Sequence, residues 1–393
     1  MELSPLVKWT GGKRSELPIL KPLFPPHSRV VEPFSGGAAV AFSSNPGQAV
    51  LNDVSVSLIH FYETLKDDQG RKEFLTALVL FDDIRKTIKK DIKKLKDSDI
   101  NKLFSAKTDA EKTKVLDSFA KKSWFDSLPE TLKKSAQKDT EKSLKDKLFT
   151  RIPNLEKKKS VVFSVAERRD HLETAVQSGF YTTLRRVYNK EALAKNLSSP
   201  IHATAWFVVR SLCYSGMFRF SASGAFNVPY GGIGYNTRDF QNSVTRFLEK
   251  ETIKFLKSTD FSVMDFEDLF KKYNFFAASD FVFVDPPYDS TFSQYNADAD
   301  FTKDDQRRLA KTLLATKAPW MLVIKNTPFI LSLYEDKKLF CAVFGKNYQV
   351  NFRNRHDRGV EHLIVTNYKL PASSDIQTIN AKTYFKENSK QLK

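Results

Sequence analysis

Phe281-Val282-Phe283-Val284-Asp285-Pro286-Pro287-Tyr288 is the stretch on which the fold turns. Four apolar residues of strand character run into an acid, two prolines and a tyrosine. The run predicts a buried central strand. Two prolines cannot continue a hydrogen-bonded ladder, so the strand must stop there. The acid and the phenol ring are then held at the strand's carboxyl end, where open α/β sheets bind ligands.

That cluster suits an aromatic amine. An exocyclic amino group has two N–H donors, which the Asp285 carboxylate and a backbone carbonyl such as that of Pro286 can accept. Accepting them draws the nitrogen toward tetrahedral geometry and frees its lone pair for attack. Tyr288 offers a flat face on which a planar base can stack. The bland alternative is an ordinary strand end with a capping acid and a packed tyrosine.

Toward the amino terminus the same strand-then-ligand pattern recurs. Arg29-Val30-Val31-Glu32-Pro33-Phe34-Ser35-Gly36-Gly37-Ala38-Ala39-Val40 is a short apolar run, a glycine turn and small residues that can start a helix. This reads as the first strand–turn–helix of a Rossmann-like sheet. The spacing is not the dinucleotide pattern: Glu32 precedes the turn and Phe34 lies inside it. A cofactor without a pyrophosphate would need less of the glycine pattern. Ala49-Val50-Leu51-Asn52-Asp53 is a second short strand ending in an acid, a position that commonly takes ribose hydroxyls; a helix N-cap is the local alternative. Asp265 follows another strand-like piece and is a candidate third acid at the cofactor rim, with capping equally available to it. At the start, Lys8-Trp9-Thr10-Gly11-Gly12-Lys13 pairs glycines that allow close backbone approach with side chains suited to a carboxylate and to a flat or cationic group.

The chain has 393 residues, enough for two or three domains or one core with a large insertion, and a net charge of +17. A polyanion is the natural partner of such a charge, nucleic acid above all. The excess is uneven: residues 71–160 hold about 25 Lys or Arg against about 15 Asp or Glu. Apolar residues continue there at helical spacing, as in Ile84, Ile88, Ile92 and Leu95. An inserted helical domain over 67–200 with a lysine-rich exterior is therefore expected, between catalytic segments 1–66 and 201–370 and before a polar, frayed tail at 371–393. A solvated helical face explains any single lysine; the sum points to DNA-backbone contacts.

Residues 213–232 alternate aromatic and polar side chains around a Ser-Gly turn, which predicts a β-hairpin. Such a ribbon can enter a major groove, where Arg219 could grip guanine; a phosphate contact or a plain surface arginine is the alternative. Residues 296–304 are a candidate clamp over the substrate, with Thr302 as the N-cap of the next helix. Tyr348 to Arg353 and His362 to Tyr368 are expected to form a final strand pair, with basic Arg353, Arg355 and Arg358 between them. No apolar run is long enough to span a membrane, and no secretory signal is visible at the start. Cys213 and Cys341 make no metal pattern and fit a reduced cytoplasm, nucleoid-associated or that of a phage host. The six histidines lack ligand spacing, so no metal is expected.

Five motifs in this order resemble the Dam-type DNA adenine-N6 methyltransferases, the α-class of amino-methyltransferases. They are Lys8–Lys13, Glu32–Ala38, Leu51-Asn52-Asp53, Phe218-Arg219-Phe220 through Phe226–Gly231, and Asp285–Tyr288. The resemblance covers most of the chain outside the lysine-rich insertion. It implies a Rossmann-like fold with an inserted helical target-recognition domain, binding S-adenosylmethionine and methylating N6 of an adenine flipped out of duplex DNA. Asp285, Pro286 and Tyr288 would serve the target base. Trp9, Lys13, Glu32, Phe34, Gly36, Asp53, Asp265 and Asp285 would line or border the cofactor site. Lys8, Ser215, Arg219 and Pro229 would face DNA. A monomer on DNA is expected, with a restriction endonuclease as a separate partner or a role in phage protection. Ser215 and Met217 stand where GATC-reading members carry other residues, so the recognised sequence stays open. The competing readings are methylation of cytosine N4 or of RNA, and a DNA-binding protein with a catalytically weak methyltransferase-like core.

Overall fold

The computed structural model describes residues 3–120, 123–193, 199–273, 279–288, 301–335, 338–347, 359–380 and 383–384. The chain divides into two compact units, Met1–Glu63 with Leu248–Lys393, and Thr64–Phe247.

Among the described residues the first unit carries eight strands: β1 (Arg29–Glu32), β2 (Gln48–Asn52), β3 (Thr259–Ser262), β4 (Asp280–Val284), β5 (Trp320–Lys325), β6 (Phe340–Asn347), β7 (Gly359–Thr366) and β8 (Gln377–Ile379). They form one sheet in the order β3-β2-β1-β4-β5-β7-β6-β8. The first five pair in parallel; β7, β6 and β8 follow antiparallel. All five residues of β4 are buried, as a strand covered on both faces requires. At the amino ends of β1 and β4, Arg29 donates two 2.8 Å hydrogen bonds to Asp280, its register partner. This sets the opposite ends of the two strands side by side. The strand order reverses between β1 and β4, so the crevice outside their carboxyl ends is the place where such sheets take ligands. Beneath it Val31, Val282, Val284, Leu309, Leu322 and Ile324 belong to one buried cluster.

Two expectations for the carboxyl-terminal part are corrected. The partner of β7 is β6 at 340–347, not residues 348–353, which lie outside the described residues. The unbroken apolar run Phe340–Phe344 is the better strand signal, because it is buried between two neighbours. The segment after Pro371 is also not simply frayed. β8 pairs with the edge of β6, Tyr384 donates a 2.6 Å hydrogen bond to Glu361, and Ile379 and Tyr384 pack on the core.

The second unit is built on helices. Asp67 caps Asp68–Lys93 by accepting the Gly70 N–H at 2.6 Å. That helix buries Phe74, Leu78, Phe81, Ile84, Ile88 and Ile92 along one face and leaves its lysines outside. Glu130–Asp146 and Val165–Leu193 approach so closely at Gly179 that a Cβ there would fall 2.4 Å from Thr140 Cα. In Pro200–Leu212 ten of thirteen residues are buried. Its Phe207 joins a ring cluster with Phe74, Phe240 and Phe247. This packing keeps 200–247 with the helical unit, so the second boundary falls at 247/248 rather than the expected 200/201.

Candidate active site

Beyond β1 the chain turns tightly before the helix Ala39–Ser44. Gly36 (φ 47°) and Ala38 (φ 52°) are left-handed. Glycine is required at 36 for a second reason. The Trp9 indole lies over it, and an added Cβ would sit 2.6 Å from Trp9 Cδ1 and 2.9 Å from Nε1. Asp53 closes the turn from β2: its Oδ2 accepts the Gly36 N–H at 3.0 Å and its Oδ1 the Ser55 N–H at 2.9 Å. Burial pushes the Asp53 carboxyl up, against those two bonds. Phe34 meets Phe266 and Phe301 at ring centroid distances of 5.6 and 5.5 Å.

Glu32 is buried and accepts the Ala41 N–H at 2.7 Å, which anchors the start of the helix. Burial drives its carboxyl up to about 8, so at neutral pH it is mostly protonated. Asp265 takes the capping role open to it. It accepts the Glu267 N–H at 2.9 Å as N-cap of Phe266–Lys272, and Arg308 holds both its oxygens at 3.1–3.2 Å.

At the end of β4, Asp285 meets a lysine 272 positions away: Lys13 Nζ donates to Asp285 Oδ1 at 2.5 Å. The Lys13 side chain is 2% exposed and that of Asp285 19%. Among the described residues no hydrogen bond reaches Oδ2, so the carboxylate keeps an accepting oxygen. Burial raises the Asp285 carboxyl, and the Lys13 ammonium is the first influence pulling it back. Lys13 Nζ also donates to the Tyr288 hydroxyl and to the Gly11 carbonyl, each at 3.3 Å. The hydroxyl lies 3.4 Å from His362 Nε2, and His362 Nδ1 lies 3.1 Å from Glu16 Oε2. Gln306, on Lys303–Ala315, donates from Nε2 to the Pro287 carbonyl at 2.8 Å and fixes the double-proline turn. Thr302 starts that helix with a capping box completed by Asp305, as its position suggested.

Lys13 therefore sits with Asp285 and Tyr288 rather than only beside a cofactor turn. Glu16, His362 and Gln306 were not found by sequence reading. They come from distant parts of the chain, and a lone buried histidine or glutamine carries no spacing signal. Asn52, inside a quoted motif, has a further task. It donates to the Pro33 and Met264 carbonyls at 2.9 and 3.0 Å, tying the ends of β1 and β3 to β2. Lys8 is exposed in the same unit. The expected clamp falls partly on 296–300, outside the described residues, as do Arg353, Arg355 and Arg358.

In the helical unit, Ser215, Arg219 and Pro229 are exposed on one ribbon. The ribbon is looser than a regular hairpin: isolated bridges join Cys213 to Tyr230 and Phe220 to Phe226. Side chains of Val165–Leu193 carry it. Tyr181 and Arg185 donate to the Val228 carbonyl at 2.8 and 2.9 Å, and Asn189 bonds both the N–H and the carbonyl of Phe226. These three are four residues apart, so they share one helix face. Arg219 itself bonds Asn227, through Oδ1 at 2.7 Å and the backbone carbonyl at 3.0 Å. Ser215 is held in a left-handed conformation (φ 54°) and its N–H donates to Tyr235 at 2.9 Å.

Among the described residues no group of three His, Cys, Asp or Glu side chains could hold a metal ion, and no helix is long and apolar enough to cross a membrane.

Comparison with known proteins agrees with this geometry. The type II methyltransferase M.CviBI of Paramecium bursaria Chlorella virus NC1A is 32% identical over 169 residues, 42% of this chain and 61% of that protein. M.MjaIII of Methanocaldococcus jannaschii is 31% identical over 207 residues, 50% of this chain and 67% of the relative. M1.LlaDCHI of Lactococcus lactis subsp. cremoris is 24% identical over 381 residues, 94% and 96% of the two chains. The similarity spans about three fifths of M.CviBI and of the retron Ec67 DNA adenine methylase of Escherichia coli. Residues 9–144 and 146–343 match one family throughout, and with its switch-point crevice and its Asp285–Tyr288 turn the chain belongs to the D12 class N6 adenine-specific DNA methyltransferases.

Proposed function

We propose that this chain transfers a methyl group from S-adenosylmethionine to the N6 amine of an adenine extruded from duplex DNA. The observation that carries the reading is Asp285, ionised by Lys13 and keeping one accepting oxygen at the carboxyl end of β4, beside the glycine turn of β1.

The turn fits the cofactor chemically. Positions 36 and 37 carry no side chain, and Trp9 backs them with a π system suited to a cation. Asp53 has lone pairs beyond those its two amides use, enough to accept a ribose diol. Phe34 supplies a flat apolar face, with Glu32 and Asp265 in support as helix-start residues. When bound, S-adenosylmethionine supplies an activated methyl on a sulfonium.

The chain's own residues do the rest. Asp285 and the Pro286 carbonyl accept the two amine hydrogens, which orients the lone pair and stabilises the charge that grows on nitrogen. Tyr288 stacks on the base and offsets the few kcal/mol that extrusion costs. Lys13 keeps Asp285 an acceptor rather than an acid. Most of the acceleration comes from positioning.

Recognition falls to the helical unit. Its lysine surplus meets phosphates, and Ser215, Arg219 and Pro229, with Lys8, face the bases. A restriction–modification setting, with the endonuclease a separate protein, follows the type II names of the relatives. The test is methylation mapping of DNA from cells expressing the protein, beside the Asp285→Ala variant. N6-methyladenine at one short sequence, absent in the variant while calorimetry still records cofactor binding, is expected. Methylation of cytosine or RNA instead, or turnover in the variant, would overturn the reading.

A further inference from the structure

We propose that His362 and Glu16 are positioning residues that set Tyr288, and through it Lys13, for methyl transfer; the proposal rests on the function argued above. Three separate segments supply the parts. Glu16 follows the amino-terminal lysine motif, His362 lies on β7, and Tyr288 follows β4. Glu16 is 3% exposed and His362 0%. The contacts run in series: Lys13 Nζ to the Tyr288 hydroxyl at 3.3 Å, the hydroxyl to His362 Nε2 at 3.4 Å, His362 Nδ1 to Glu16 at 3.1 Å. The rings of Tyr288 and His362 meet edge-on at 5.7 Å, and Phe344 packs against the imidazole at 5.3 Å.

Chemistry gives the series a direction. A lysine ammonium only donates, so the Tyr288 oxygen accepts from Lys13 and its own O–H is left to donate. An imidazole nitrogen that accepts it must be unprotonated. A Glu16 carboxylate only accepts, so it selects the tautomer with the proton on Nδ1 and leaves the Nε2 lone pair facing Tyr288. Each donor thus finds one acceptor, from Lys13 to Glu16.

A buried imidazole and carboxylate are costly beside an apolar pair of the same volume, which β7 could otherwise carry. What they supply is a fixed angle for a ring that must lie parallel to an incoming base. They also supply a second acceptor that holds the Lys13 ammonium between Asp285 and Tyr288. A ring held only by packing would be less restricted, and a stack needs its plane defined.

The test uses the full chain, tritiated S-adenosylmethionine and unmethylated genomic DNA. His362→Leu should lower kcat about 5- to 50-fold, the scale of one hydrogen bond lost in a network, with both KM values near the parent's. His362→Gln, whose amide oxygen can accept from the hydroxyl, should restore most of kcat. Tyr288→Phe keeps the ring, should fold, and should lose as much as His362→Leu, while the double variant loses no more. Parent-level kcat in Tyr288→Phe overturns the proposal even if the histidine variants fail to fold. Losses that multiply in the double variant overturn it as well. A parent protein that transfers no methyl group overturns the functional reading and this proposal together.

Discussion

Lys13→Met removes the ammonium from Asp285 while keeping an unbranched side chain. In the parent the two charges are 2.5 Å apart, with Lys13 2% exposed and Asp285 19%. Burial already lifts the Asp285 carboxyl, and Lys13 is the first influence that lowers it. An opposite charge this close is worth about 1–3 pH units on a carboxylate. The reaction needs Asp285 ionised, so the acid limb of kcat/KM should move up by about 1–3 pH units in the variant. Stability gives an independent reading. A carboxyl whose folded pKa lies above its unfolded value binds extra protons when folded. Its favourable contribution is complete below the unfolded pKa and is lost as pH rises through the folded one. The variant widens that gap. Its melting deficit should be small in acid and grow toward neutral pH, to about 3–5 kcal/mol for an unpaired buried charge. Initial rates of methyl transfer across pH, with melts in the same buffers, measure both. An acid limb that stays where the parent's lies, with a deficit that does not vary with pH, would refute the pairing of Lys13 with Asp285 as the control on its charge.

Gly36→Ala puts a Cβ into the Trp9 indole and a side chain at positive φ. Stability should fall by about 1–2 kcal/mol from the backbone alone. Displacing Trp9 should weaken S-adenosylmethionine at least about tenfold, read by calorimetry. Glu32, with its carboxyl lifted to about 8, makes the parent lose stability as pH rises from about 4.5 toward 8. Glu32→Gln keeps the acceptor for Ala41, so it should melt with the parent in mild acid and above it in alkali. Arg219→Ala should leave the fold intact and relax the methylated sequence at one base position, by about 1–3 kcal/mol of discrimination, in a methylation map.

The parallel half of the sheet was legible because its signals are local. Val30–Val31, Val50–Leu51 and Phe281–Val284 are apolar runs stopped by an acid or proline, and each is a strand end in the structure. The antiparallel half was harder. β8 is three residues, Gln-Thr-Ile, with no pattern of its own; it exists because the edge of β6 offers unpaired backbone. The boundary at 248 was hidden because Pro200–Leu212 is apolar on nearly every side, as a helix in either unit's core would be. In the site, Asp285, Tyr288 and Asp53 declared themselves by standing where strands stop. Glu16 and His362 did not: a carboxylate and an imidazole 346 positions apart become neighbours only through the topology.

That separation bears on how the protein is made. β1 and β2 emerge early from the ribosome, yet β4, the neighbour of β1, follows 251 residues later by the spacing of Arg29 and Asp280. At about 5–20 residues per second the wait is roughly 13–50 s. The helical unit is continuous in the chain and can fold during that interval. The first strands cannot, and they expose sticky edges until translation has nearly finished. A nascent methyltransferase of this topology is therefore inert, and dependent on holdases, for most of its synthesis.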